Sequence, residues 1–130
     1  MSEIDRLLTE CREAAVDADG VCPWCGRALP ARRRRWCSDP CRADFVANHF
    51  WGLARERALA RDEHRCTTCG VRRRKLEVHH VDPRRGQGYA AGCHHHLDLL
   101  ETLCHACHVE VTNVQRRGLL ALDHASRQQQ

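Results

Sequence analysis

Apolar residues recur at helical spacing near the start of the chain, where Ile4, Leu7, Leu8, Cys11, Ala14 and Ala15 share one face opposite charges. This predicts an amphipathic helix over residues 3–16, ended by Asp19-Gly20. A second helical pattern begins at Cys41, with Asp39 as cap and Pro40 in the first turn. It runs through Phe45, Val46, His49, Phe50 and Leu53 to about Arg61, and Gly52 weakens it locally. Phe45, Phe50, Trp51 and Leu53 are its expected core residues. The period then changes to two: Leu76-Glu-Val-His-His-Val81 alternates as a short strand and stops at Asp82-Pro83. Gly86 to Gly92 reads as loop, and Leu97 to Leu103 as an extended return segment. His108 to about Ala125 is helical again, with Val111, Val114, Leu119 and Leu120 apolar, and Gln128 to Gln130 form a frayed tail. The C-terminal order is thus strand, loop, strand or extended segment, helix.

Composition limits what such elements can bury. The chain has 130 residues, 29% of them charged, with only two Phe, one Tyr and three Trp. A large aromatic core is excluded, and small domains of this kind need staples. Ten cysteines and ten histidines can supply them. The N-terminus is acidic with no apolar run, so it does not read as a secretory signal, and metal is favoured over disulfides. No stretch approaches the ~20 apolar residues of a membrane span. A soluble, cytoplasmic protein is expected.

The cysteines fall into two sets. Cys66-x-x-Cys69 and Cys104-x-x-Cys107 can share one zinc, folding the intervening loop back so that its histidines approach His108. Cys22-x-x-Cys25 and Cys37-x-x-x-Cys41 form a second, shorter Cys₄ module. Gly70 suits the positive φ of a knuckle turn. Four thiolates suit a closed structural Zn²⁺ site, whereas the leftover imidazoles of His79, His80 and His108 suit a second, open metal site. His79 or His80 alone would read as a half-buried strand residue. On a regular strand the two point to opposite faces, so they cooperate only at the strand's end. His105 reads as exposed surface. His94, His95 and His96 read as loop residues facing DNA or solvent, with a further metal site including Cys93 as the alternative. Cys11 is expected to be packed and Cys93 free.

Residues 66 to 112, about a third of the chain, resemble the HNH family of ββα-metal endonucleases in its zinc-braced Cys₄ branch. Three pieces carry the resemblance: Cys66-x-x-Cys69, Leu76-Glu77-Val78-His79-His80-Val81-x-Pro83, and Leu103-Cys104-x-x-Cys107-His108. The implied fold is a small α+β, ββα-metal domain over residues 64–125. An N-terminal helix and Cys₄ module (1–42) and a linking helix (43–63) precede it, and a tail (126–130) follows. The resemblance implies that His80 is the general base, and that His79 and His108 hold one catalytic divalent ion (Mg²⁺, Mn²⁺, Ni²⁺ or Zn²⁺) beside two structural Zn²⁺. The implied activity is hydrolysis of DNA phosphodiester bonds, leaving a 5′ phosphate and a 3′ hydroxyl. One departure stands out: Leu99 occupies the place of the family's asparagine, whose amide braces the base-bearing loop. Leucine can neither donate nor accept, so either a neighbour such as Asp98 or His96 compensates or activity is reduced or lost. The alternative reading is a non-catalytic zinc-ribbon module that binds nucleic acid or protein.

Charge adds one constraint. The formal +4 counts cysteines as neutral, and two zinc-loaded Cys₄ sites would bring the total to about zero. A DNA partner therefore rests on local clusters: Arg32 to Arg35, Arg72-Arg73-Arg74-Lys75, Arg84-Arg85 and Arg116-Arg117.

Overall fold

Ser2 starts the first helix through a reciprocal cap: its hydroxyl accepts the Asp5 N–H at 3.2 Å while the Asp5 carboxylate accepts the Ser2 N–H at 2.9 Å. The helix, α1 (Glu3–Glu10), is shorter than its apolar spacing suggests, because Cys11 leaves it with extended backbone. The expected face is nevertheless the buried one, with Leu7, Leu8 and Cys11 inside. The computed structural model describes residues 2–14, 19–82 and 88–128, with side chains described up to Gly118. Ala15, Val16, Pro83, Arg84-Arg85, Gly86 and the last two glutamines lie outside the described residues, as do the side chains of Leu119 and Leu120.

Helix α2 (Asp39–Ala47) is capped by Ser38, one residue earlier than expected. The Ser38 hydroxyl accepts the Cys41 N–H at 3.2 Å. Asp39, in the first turn, instead pairs with Arg33 at 3.0 Å. The expected single linking helix over 43–63 is two helices, since α2 stops at Asn48 and α3 (Trp51–Arg61) begins after an extended Phe50. Tertiary contacts make the break. Asn48 accepts the Leu97 N–H on its side chain at 2.9 Å, and the His49 carbonyl accepts the Gly92 N–H at 2.9 Å. Leu53 is exposed (45%), and Ala54, Ala58 and Leu59 form the inward face of α3 instead.

Strands β1 (Glu77–His80) and β2 (Leu100–Leu103) pair antiparallel, with His79 opposite Glu101 and His80 opposite Leu100. They form the one sheet among the described residues. Helix α4 (His105–Gln128) follows and packs on both strands, as does α3. It begins three residues before the expected start and continues past Ala125. Arg61 positions β2 by donating to the Leu97 and Leu100 carbonyls, each at 2.6 Å. The neighbouring Asp62 carboxylate accepts the Thr102 N–H at 3.2 Å.

Two apolar cores result. Leu7, Leu8, Trp36 and Phe45 centre the first, and Ala58, Leu76, Leu100 and Leu103 the second. The break between α2 and α3 is the border between them. The protein is thus a small α+β fold in which short elements are gathered around cysteine and histidine clusters. No helix among the described residues is long and apolar enough to cross a membrane.

Candidate metal centres and histidine cleft

The two Cys-x-x-Cys-Gly turns are built alike. Gly26 and Gly70 take φ of 75° and 76°, a region open to glycine, and donate their N–H groups to the Cys22 and Cys66 carbonyls. Each turn thereby aims two sulfurs at one point. Cys22, Cys25, Cys37 and Cys41 converge, as do Cys66, Cys69, Cys104 and Cys107, with all donor atoms of a group within 4.8 Å of one another. Sulfur–sulfur distances are 3.5 Å for Cys22–Cys41 and for Cys25–Cys37, and 3.8 Å for Cys69–Cys104. A tetrahedral ion with ~2.3 Å bonds separates its sulfurs by about 3.8 Å, whereas a disulfide needs ~2.05 Å. All ten cysteines are free. Both Cys₄ groups can therefore hold a metal ion such as zinc.

Their electrostatics agree with that chemistry. Burial works against the Cys22 thiolate, but N–H groups around the turn overcome it and lower its pKa to about 6. Cys66 behaves in the same way, again near 6. Within the same clusters, Cys107 is pushed up to about 12, chiefly by its hydrogen bond with Cys104, and burial raises Cys41. Crowded thiols resist further ionisation until a cation compensates them.

His79, His80, His94, His108 and Gln115 line an open cleft of about 370 Å³ beside the end of β1. His80 is the last strand residue, so both histidines of the pair reach the cleft although they lean toward different helices. His79 faces α4, its ring 4.9 Å from that of His108. The Gln115 amide nitrogen lies 3.2 Å from the Val81 carbonyl and 2.9 Å from His79 Nε2. A carbonyl only accepts, so the nitrogen is a donor and His79 Nε2 is unprotonated. His108 Nδ1 lies 3.1 Å from the Glu77 carboxylate, which leaves Nε2 as its lone-pair nitrogen. Glu77 also takes the exposed His105 at 3.3 Å. Glu77 thus orients His108 from behind and leaves its Nε2 open, whereas Gln115 occupies the lone-pair nitrogen of His79.

His80 leans the other way. Its ring stacks on Trp51 at 5.1 Å between centroids, and its Nε2 is 3.0 Å from His95 Nδ1. His95 Nε2 donates to the Ala90 carbonyl at 2.8 Å, and burial lowers its pKa to about 4. A neutral His95 must therefore accept at Nδ1, so His80 donates from Nε2 and keeps its lone pair on Nδ1. Burial, and then the His94 ring, hold His80 below the usual histidine range. His79 is lowered by burial, His108 and His80.

The structure corrects two expectations here. His94, His95 and His96 are buried, and do not face solvent. The donor nitrogens of His80, His94 and His95 converge within 4.8 Å. Cys93 does not stand alone, because it meets Cys11, His49 and His96. Leu99 lines a separate cavity with Glu10, Glu13 and His96. Its backbone carbonyl accepts the Val81 N–H at 2.9 Å, bracing the chain just past His80. The side chain that steadies His80 is His95. Glu77, Gln115 and Trp51 were not legible as site residues, and His95 only as part of an alternative metal site with Cys93; each acts on a histidine that the motif does mark.

A Cβ added at Gly92 would lie 2.9 Å from His94 Nδ1. Gly92→Ala is accordingly expected to displace the His94 ring and destabilise the protein by about 1–3 kcal/mol. Chemical denaturation checks this, and an unchanged midpoint would show that the ring moves freely.

What the fold and sites define is a small α+β protein with Cys₄ and Cys₂His₂ groups able to hold metal ions. Against protein-family models, curated proteins and solved structures, the chain finds no match.

Proposed function

We propose that the protein is a metal-dependent endonuclease of the HNH type, hydrolysing DNA phosphodiester bonds at the histidine cleft, with zinc in both Cys₄ groups. The observation that carries the reading is the chain from His80 through His95 to the Ala90 carbonyl. It gives a neutral imidazole whose second nitrogen is oriented by an acceptor, the arrangement a general base needs. The order β1, β2, α4 with a Cys₄ group at the joint of β2 and α4 supports it further.

In this reading His80 takes the proton of the attacking water on Nδ1. The imidazolium so formed keeps its Nε2–H on His95, and the Trp51 ring face favours its charge. His79 and His108 would hold the divalent ion, which when bound supplies positive charge to the scissile phosphate and the departing oxygen. Glu77 orients His108, and Gln115 must release His79 Nε2 for ligation. Arg116 and Arg117 on α4 and Arg72 to Lys75 beside the knuckle are exposed and suit phosphate contacts. The Arg32–Arg35 cluster suits them less, because Arg33 pairs with Asp39 and Arg35 with Asp5.

Supercoiled plasmid incubated with the protein and Mg²⁺, Mn²⁺ or Ni²⁺ is expected to convert to nicked circle, and not in EDTA. The rate should fall steeply with added salt as phosphate contacts are screened. Absence of nicking with every ion would favour the rival, a non-catalytic nucleic-acid- or protein-binding module on the same scaffold.

A further inference from the structure

Four donor atoms outside the cleft meet where three distant stretches of chain come together. Cys11 stands just past α1, His49 at the break between α2 and α3, and Cys93 and His96 in the turn before β2. All four lie within 4.8 Å of one another. His96 Nε2 is 3.7 Å from Cys11 Sγ and 3.1 Å from His49 Nε2. A tetrahedral zinc with bonds of ~2.3 Å to sulfur and ~2.05 Å to nitrogen sets these edges at about 3.6 and 3.3 Å.

The outer nitrogens of both rings are already engaged. His49 Nδ1 is 2.7 Å from the Phe45 carbonyl, which can only accept, so the proton is there and the Nε2 lone pair turns inward. His96 Nδ1 faces the Glu13 carboxylate at 3.4 Å. His96 Nε2 and the lone pair of His49 Nε2 point at each other. A cation between the rings satisfies both, and an acceptor behind each imidazole is the usual setting of a metal-binding histidine. Cys11, His49 and His96 are buried, with the Trp24 ring edge-on to both histidines at 5.7 and 5.8 Å. Cys93 and His96 border the cavity lined by Glu10, Glu13 and Leu99 on the other side, and four protein donors fill a tetrahedral ion and leave no open position.

We propose that Cys11, His49, Cys93 and His96 hold a third structural zinc, which fastens the N-terminal helix to the turn bearing His94 and His95. Cys93 and His96 bracket those two residues, so the ion fixes the segment that aims His95 at His80. The break between α2 and α3 leaves His49 where α1 and the turn converge. The site stands on its own geometry and does not depend on nuclease activity.

Cadmium-113 NMR of the full-length protein reconstituted with cadmium tests it without any substitution. Two resonances in the four-sulfur range and one in the range of two sulfurs and two nitrogens are expected. A spectrum holding only four-sulfur resonances would overturn the proposal. Independently, the double variant C11S/C93S should lose one zinc per chain relative to the unsubstituted protein by elemental analysis, and equal zinc content would overturn it. An inactive protein with the mixed-ligand resonance would leave this site standing and remove the nuclease reading alone.

Discussion

Removing metal from the protein at neutral pH is expected to unfold the β1–β2–α4 unit rather than loosen it. Each strand has four residues, and a two-stranded sheet is at best marginal in water. Its core holds few large side chains, with Ala54 and Ala58 filling positions that bulkier residues would occupy in a bigger domain. Against a net stability of ~5–15 kcal/mol for a whole domain, a structural zinc contributes roughly 10–16 kcal/mol. An ion bound at Cys66, Cys69, Cys104 and Cys107 would therefore decide whether this unit folds. Chelation, or Cys104→Ser at a buried ligand, should abolish cooperative melting followed by circular dichroism. A chelated protein that melts at the same temperature as the untreated one would show that packing alone suffices.

Acid should act in the same direction. The folded-state pKa values of Cys22 and Cys66 are depressed to about 6. Groups of this kind contribute stability above their unfolded value and lose it as pH falls through the folded one. Cys41 and Cys107 are raised in the same clusters and offset this share in the metal-free protein. Acid therefore acts chiefly by protonating thiolates that would hold zinc, and zinc retention and stability should drop together as pH is lowered.

The pattern of residues conveys the local parts of this architecture and misses the parts made by distant chain. Both Cys-x-x-Cys-Gly turns, the strand at Glu77–His80 and the terminal helix follow from spacing a few residues wide, and the strand and helix start within three residues of their expected positions. The α2–α3 break is different. Phe45, Val46, His49, Phe50 and Leu53 keep an unbroken helical period, and nothing within that segment marks Asn48 as an end. The cause is the Leu97 N–H and the Gly92 N–H, more than forty residues away. The burial of His94, His95 and His96 is hidden for the same reason, since a polar run just after a glycine-rich loop reads as surface until the elements packing on it are known. One signal was present: Cys93-x-x-His96 has the spacing of a knuckle, and Cys11 had no partner. Periodicity places elements, whereas the cluster uniting Cys11, His49, Cys93 and His96 is a property of how they dock.

Replacing His80 by alanine should lower the nicking rate by about 10²–10⁴-fold, the usual contribution of a positioned general base. The loss should not recover at higher divalent-ion concentration, because the base and the ion occupy different nitrogens of the cleft. Recovery with added metal would mean that His80 is a ligand, joined with His94 and His95, whose donor atoms also converge on it. The two roles exclude each other: ligation through Nε2 requires His80 to give up the proton it shares with His95, whereas the base needs that proton to stay. His95→Ala separates them further. As a positioning residue, it should reduce the rate less than His80→Ala and shift the acidic limb of the pH–rate profile. Burial and His94 hold the His80 pKa low, so in the unsubstituted protein that limb should lie below the ~6.5 of free imidazole. A limb at or above that value would place the titrating group elsewhere, and with it the proton acceptor.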